Sequence, residues 1–364
     1  MIKAKSSNPV FLIDEIDKMT KDIKGDPASA LLEVLDPEQN SLFYDNYIEE
    51  AYDLSSVMFI LTANSLEDIP YALRDRLEII NLSTYTIFEK LDIAQNYMMG
   101  KLLKEHGLSK SNLVISEEML KYIIMSYTKE AGVRELERVL SSIMRKVAKQ
   151  IVENGKKIKV TVTKEIVEEY LGKRKYESLE EVSDNAIGVV NGLAYTIFGG
   201  SILPIETTYY KGKGNIIMTG SLGDVMKESA SVAVGYVKAN AKKFNIDILS
   251  IEENDIHINA INGAIPKDGP SAGVTLVTSI LSSFLNKKID KTIGMTGEIT
   301  LNGKILPIGG LKEKTISAFN SGIKTIFLPK DNKQDESDIP DEIKNNINII
   351  YVENYKEIYD YLFK

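Results

Sequence analysis

The stretch IPKDGPSAGVTLVTSILSSFL, residues 265–285, decides how the C-terminal half of this chain is read. It contains a G-x-S-x-G pentapeptide, Gly269 to Gly273, and runs on into Val274, Val277, Ile280, Leu281 and Phe284, apolar positions three and four apart. That spacing predicts an amphipathic helix starting just after Ser271. The serine then stands at a helix N-terminus, where backbone N–H groups are available to an oxyanion. A serine in this pattern can be an exposed nucleophile, but its hydroxyl attacks nothing until a base takes the proton. The apolar run is broken by Thr and Ser and is shorter than the roughly 18 residues a membrane helix needs.

Two histidines, His106 and His257, are present and neither follows Ser271. The Ser–acid–His order of the α/β-hydrolase elbow is therefore excluded. His257 lies on DIHINAI, residues 255–261, whose alternation reads as a strand, and it stays open as a base in a His-before-Ser order. Lysine is the other option, since a neutral amine can serve as the base of a Ser–Lys pair. Its pKa must fall from about 10.4 to roughly 7–8, a cost of about 3–4 kcal/mol that demands burial or a cationic neighbour. LPIGGLKEKTISAFNSG, residues 306–322, offers such a lysine. Read as a helix from Leu311, its apolar stripe is Leu311, Thr315, Ala318 and Phe319, and Lys314 falls on it. Lys312 points about 200° away round the helix. A lysine on a helix is ordinarily a solvated charge, whereas one centred on an apolar stripe is a candidate base. Asp268, Thr296 and Glu298 are candidate partners to orient it, and equally read as loop and turn residues.

The chain has 364 residues, 44 basic against 52 acidic for a net charge of −8, and 43% hydrophobic residues, the profile of a globular protein of two or three domains. It has no cysteine, which removes disulfides, thiolate nucleophiles and Cys-based zinc sites. No basic run forms a phosphate-tracking stripe, so nucleic acid is not indicated, and no secretory segment is evident; a cytoplasmic location is expected. PVFLID (9–14) and SVMFILTAN (56–64) read as strands covered on both faces, with a helix in ASALLEVL (28–35) between them. Residues 84–150 read as helices, notably EEMLKYIIMSY (117–127) and RELERVLSSIMRKVAKQIV (134–152). GKRKYESLEEVSDN (172–185) reads as a linker. Beyond it a second α/β region is expected: a helix over 224–243, a hairpin ITLNGKIL (299–306) turning at Asn302-Gly303, a strand in IKTIFLP (323–329), then strand and helix.

PKDGPSAG (266–273) with MTGEITLNGKILPIGGLKEK (295–314) resembles the proteolytic domain of the Lon family, ATP-dependent serine proteases with a Ser–Lys dyad. The resemblance implies Ser271 as nucleophile, Lys314 as its partner and Thr296 as a hydrogen-bond partner of the lysine. It also implies Asp268 and Glu206 beside the site, and His257 at a family position. Where a second histidine often stands two residues on, this chain has Asn259. The first half resembles the family's AAA+ module. FLIDEIDKM (11–19) is similar to a Walker B segment, implying Asp14 towards Mg²⁺ and Glu15 towards the attacking water. Asn64 resembles sensor 1, Arg76 the arginine finger with Arg74 as alternative, and Arg134 sensor 2.

The implied fold class is a multidomain α/β and α+β chain: a partial AAA+ α/β sheet (1–83), a helical AAA+ lid (84–175) and a Lon-type α/β protease domain (176–364). Implied partners are unfolded or misfolded proteins and peptides, and further copies of the chain, as a hexamer, with no membrane. ATP and Mg²⁺ are implied for the full-length family. The Walker A pattern G-x-x-x-x-G-K-[ST] occurs nowhere in these residues, so the chain is read as a C-terminal fragment that binds no nucleotide and cleaves peptides without ATP. The alternative reading is a non-catalytic AAA+ assembly module.

Overall fold

A computed structural model describes residues 1–364 apart from 2, 20–24, 46, 67, 83, 155–157, 177–184, 197–198 and 262–266. Most of the expected linker, 177–184, lies outside the described residues. The chain divides into two compact units, Met1–Leu82 and Ser83–Lys364.

In the first unit, β1 (Val10–Ile13) is followed by a hairpin of β2 (Phe43–Asp45) and β3 (Glu50–Tyr52), and then β4 (Met58–Leu61). β1 and β4 pair in parallel, from Val10 opposite Met58 to Ile13 opposite Leu61. The helix Pro27–Leu35 starts on Asp26, whose carboxylate accepts from Ser29 N at 3.3 Å, with proline at the first helical position, where no N–H is missed. Ile16, Leu31, Ile69 and Leu73 form the small core. The expectation that both strands are covered on two faces fails here. Val10 and Met58 are each 60% exposed and Leu12 66%. Among the described residues this sheet has two strands, and the unit's single small core cannot shield both faces of it.

The second unit opens with helices. Thr86 and Glu89 form a reciprocal capping box at the start of Ile87–Ile93. Ser116 caps Glu117–Tyr127, which matches the expected helix, and Thr163 caps Lys164–Leu171. Together with Arg134–Asn154 they enclose Leu102, Ile123, Tyr127, Leu136, Leu140 and Ile143, beside the short parallel pair β5 (Leu113–Val114) and β6 (Val160–Thr161).

The rest of the unit is built on β7 (Val189–Thr196), β8 (Gly199–Lys211), β9 (Ile216–Thr219), β10 (Asn254–Ala260), β11 (Ile293–Met295), the hairpin β12 (Glu298–Ile299) and β13 (Ile305–Leu306), then β14 (Thr325–Pro329) and β15 (Asn348–Val352). Seven of these form one sheet in the order β15-β14-β11-β7-β8-β10-β9. β15, β14, β11 and β7 run parallel, β8 is antiparallel to β7 and β10, and β9 lies parallel to β10. Alternation along β14 sorts the layers: Phe327 packs with the helices Asp224–Ala239, Gly273–Leu285 and Tyr355–Phe363, while Ile326 and Leu328 pack with Leu311–Asn320 on the opposite face. The expected hairpin is wider than a two-residue turn. Thr300 O accepts from Gly303 N at 2.9 Å and Thr300 N donates to Lys304 O at 3.0 Å. Gly303 is left-handed at φ +83°, with Tyr236 so close that an added Cβ would stand 2.6 Å from its ring.

Candidate active site

Ser271 occupies a single 3₁₀ turn, Pro270–Ala272, that leads into the helix Gly273–Leu285. The turn is strapped to the residues just past β11: Gly297 N donates to Ser271 O at 2.8 Å, and Val274 N donates to Gly297 O at 3.1 Å. The approach is close enough that a Cβ on Gly273 would stand 2.8 Å from Ile299 N, so glycine is needed there for want of space.

Thr296, 1% exposed, follows β11 and faces the same turn. Its Oγ1 donates to Ser271 O at 3.2 Å and accepts from Lys314 Nζ at 3.2 Å. Lys314 is 3% exposed in the first turns of Leu311–Asn320, on a buried stripe that also includes Ile316. Desolvation disfavours its charged form and lowers its pKa from the ordinary 10.5 to about 8. The serine and lysine helices thus lie on opposite faces of the sheet and converge at the C-terminal end of a parallel strand, where α/β sheets characteristically place their sites. Among the described residues the Ser271 hydroxyl has no hydrogen-bond partner; the serine is joined to the lysine through its own carbonyl and Thr296.

The remaining candidates separate. Asp268 Oδ1 accepts from Met226 N and from Gly269 N, each at 2.9 Å, so it caps Asp224–Ala239 and ties the serine loop to that helix, with no bond to Lys314. Glu298 pairs with Leu306 in the hairpin. Glu206 and His257 lie in a polar row across β8, β10 and β9. Asn259 Nδ2 donates to Glu206 Oε2 at 3.2 Å, Thr219 Oγ1 donates to Asn259 Oδ1 at 2.9 Å, and Thr219 Oγ1 lies 3.1 Å from His257 Nε2. His257 is bonded there and not to Ser271.

In the first unit the parallel pairing of β1 and β4 gathers Asp14, Glu15 and Asn64. The Thr62 hydroxyl donates to Asp14 Oδ1 and accepts from Glu15 N, and Asn64 N donates to Asp17 Oδ2 at 3.2 Å. Glu15 is left-handed at φ +55° and its carboxylate meets Lys18 Nζ at 2.6 Å. Arg76 donates to Ala72 O at 3.0 Å and meets Asp36 at 3.3 Å, while Arg74 lies 5.8 Å from the centre of the Tyr71 ring. Arg134 opens the helix Arg134–Asn154 in the second unit. The apolar pattern gave no sign of how the start of that helix is capped. The Glu130 carboxylate accepts from Glu135 N and Leu136 N, each at 2.8 Å, and Lys90, itself buried, donates to Glu130 O at 2.5 Å. The available signal was an acid four residues before the helix start, ready to meet its unpaired N–H groups. Among the described residues no group of three or more His, Cys, Asp or Glu is placed to hold a metal, and no helix is long and apolar enough to cross a membrane.

These elements define a class before they define a family: an α/β sheet with a serine at a helix start, a buried lysine beside it, and an acidic strand end of ATPase type in a separate unit. Residues 161–364 match the Lon protease (S16) C-terminal proteolytic domain, 104–170 the Lon protease AAA+ ATPase lid domain, and 1–85 the ATPase family associated with various cellular activities. The chain is 53% identical over 362 residues to a Lon protease of Mycoplasma mycoides subsp. mycoides, covering 100% of this chain and 45% of that relative. It is 50% identical over 361 residues to Lon protease 1 of Bacillus subtilis, covering 99% of this chain and 46% of the relative. The chain belongs to the Lon protease family, and it spans about half the length of the curated relatives it matches.

Proposed function

We propose that this chain hydrolyses peptide bonds through an acyl-enzyme on Ser271, with Lys314 as general base. The observation that carries the reading is the buried Lys314 ammonium bonded to Thr296, which also holds the Ser271 carbonyl. Removing water lowers the lysine into the range where a neutral amine is present near pH 8. The neutral Nζ takes the Ser271 proton as Oγ attacks the peptide carbonyl, then returns it to the leaving amine. The hydroxyl must first swing onto Nζ, an alignment that sites without substrate commonly complete on binding. Gly273 N donates to Pro270 O and Val274 N to Gly297 O, so the oxyanion is met by N–H groups at or before Ala272.

We keep a three-part division at 83 and 175: the AAA match ends at 85 and the lid match at 170, while the proteolytic-domain match begins at 161. In a complete AAA+ module Asp14 and Glu15 would serve Mg²⁺ and the attacking water. The 364 residues contain no Walker A pattern, so the isolated chain cleaves unfolded peptides without ATP. Its natural setting is a homo-oligomer, hexameric, acting in the cytoplasm on misfolded proteins. The non-catalytic reading, an assembly module, gives no reason to bury a lysine against the serine turn. Cleavage of an unstructured fluorogenic peptide, together with covalent labelling of Ser271 by a serine-directed fluorophosphonate, tests the proposal. Both should vanish in Ser271→Ala with the circular dichroism spectrum unchanged; cleavage persisting in that variant overturns it. Titration with Mg·ATP should show no micromolar binding.

A further inference from the structure

The helix that carries Lys314 packs on the sheet and on Ile339 and Ile343, and the lid touches it as well. Its inner face is fixed by Leu311, Ile316 and Ala318 against Leu193, Ile326 and Leu328. β8 lies flush against its backbone beside the lysine, since a Cβ on Gly200 would stand 2.0 Å from Glu313 O. On the outer side Phe319 leaves the helix and packs into the lid core, its ring 5.6 Å from that of Phe88 on Ile87–Ile93. Phe319 belongs to both the lid cluster and the lysine-helix cluster. Next to this contact the helix faces a cavity of about 900 Å³, walled by Glu313, Ser317 and Asn320 from the helix, by Gly200 and Ser201 from β8 and by Ile87 and Lys90 from the lid. Over that span the helix meets open space, and the Phe88–Phe319 pair is an aromatic contact that ties it to the lid.

We infer that Phe319, gripped by Phe88 of the lid, is a positioning residue for Lys314, so that the packing of the lid sets whether the lysine reaches Thr296 and the serine turn. This rests on the Ser271–Lys314 reading above. The Lys314–Thr296 bond is 3.2 Å long, near the limit of a useful hydrogen bond, and the lysine is one and a half turns from Phe319 on the same rigid helix. Loosening the outer clamp over an adjacent cavity lets the helix tilt into the open space. A displacement of about 1 Å at Nζ breaks the bond and costs up to about a hundredfold in rate. Substrate binding need not change, because neither phenylalanine is at the serine turn.

The experiment uses the whole chain. In Phe88→Ala, amide exchange over 311–320, including the Lys314 N–H bonded to Gly310 O, should quicken about tenfold while 273–285 is unchanged. In both Phe88→Ala and Phe319→Ala, kcat for an unstructured peptide should fall about ten- to a hundredfold with KM within about twofold, and Phe319→Leu should restore most of it. The double variant should be no worse than either single one, because the two rings act as one contact. Unchanged exchange over 311–320 in Phe88→Ala overturns the inference, as do losses in the two variants that simply multiply. If the wild-type chain cleaves no peptide, the exchange measurement still decides the coupling, and it is the dyad reading that falls. Should Phe88→Ala lose the lid fold, Phe88→Leu in the same exchange measurement replaces it.

Discussion

β1 with β4 and β11 with β14 are both parallel strand pairs, and each ends in polar residues at the C-terminal edge. The first pair delivers Asp14, Glu15 and Thr62; the second delivers Thr296, to which Lys314 is brought. Their strands are made of similar apolar runs, yet Leu12 is 66% exposed while Ile326 is fully buried. The carboxylates beside β1 stand in water and pair with ordinary partners, Thr62 and Lys18. The amine beside β11 is buried and is driven towards neutrality. The lesson is that the sheet places chemical groups in both units, but cover tunes them in only one.

The sharpest way to break that contrast is to keep the charge at 314 and remove the basicity. Lys314→Arg should lose peptidase activity by about three orders of magnitude, since a guanidinium does not give up its proton near neutral pH. Turnover near the wild-type level would return the base to another group. The contrast is sharpened next by pH. With Lys314 near 8, kcat/KM should rise roughly tenfold per pH unit below that value and level off above it, as the neutral amine becomes populated. A limb centred near 6.5 would instead indicate a histidine.

Smaller effects separate the two sheets themselves. Ile326→Ala should destabilise the second unit by about 2–4 kcal/mol in urea unfolding, whereas Leu12→Ala in β1 should change stability by no more than about 0.5 kcal/mol. Equal costs would mean that β1 is covered in solution. The last test concerns what burial of the lysine does to stability. Its folded pKa, about 8, lies below the ordinary 10.5, so between those values the unfolded chain holds more protons and stability rises with pH. Wild type should therefore gain about 1–3 kcal/mol on Lys314→Met from pH 8 to 10.5, and the methionine variant should be the more stable below pH 8. A flat difference across that window would place Lys314 in solvent.

Much of the site was legible before any coordinates, and the parts that were not share a cause. Local periodicity gave the helices Glu117–Tyr127 and Gly273–Leu285 and put Lys314 on a buried stripe, because helical spacing is a property of neighbours in the chain. It could not choose between Asp268, Thr296 and Glu298 as partners of the lysine. That choice depends on which loop lies against which helix end: Asp268 is drawn to Met226 N, and Thr296 alone of the three bonds Lys314. Nor could it tell that His257 is engaged by Thr219, a neighbour supplied by β9 from 38 residues away.

By itself, then, the sequence indicated the longer helices, a serine at a helix start and a lysine on an apolar stripe, since each follows from spacing within about two turns. Only the tertiary structure decided how exposed the β1–β4 pair is, that the serine and lysine helices meet from opposite faces of one sheet at Thr296, and that Phe88 of the lid reaches Phe319. Those are contacts between segments far apart in the chain. They are fixed by how whole layers bury their apolar faces, and desolvation of Lys314 follows from that burial and from no property of the residues beside it.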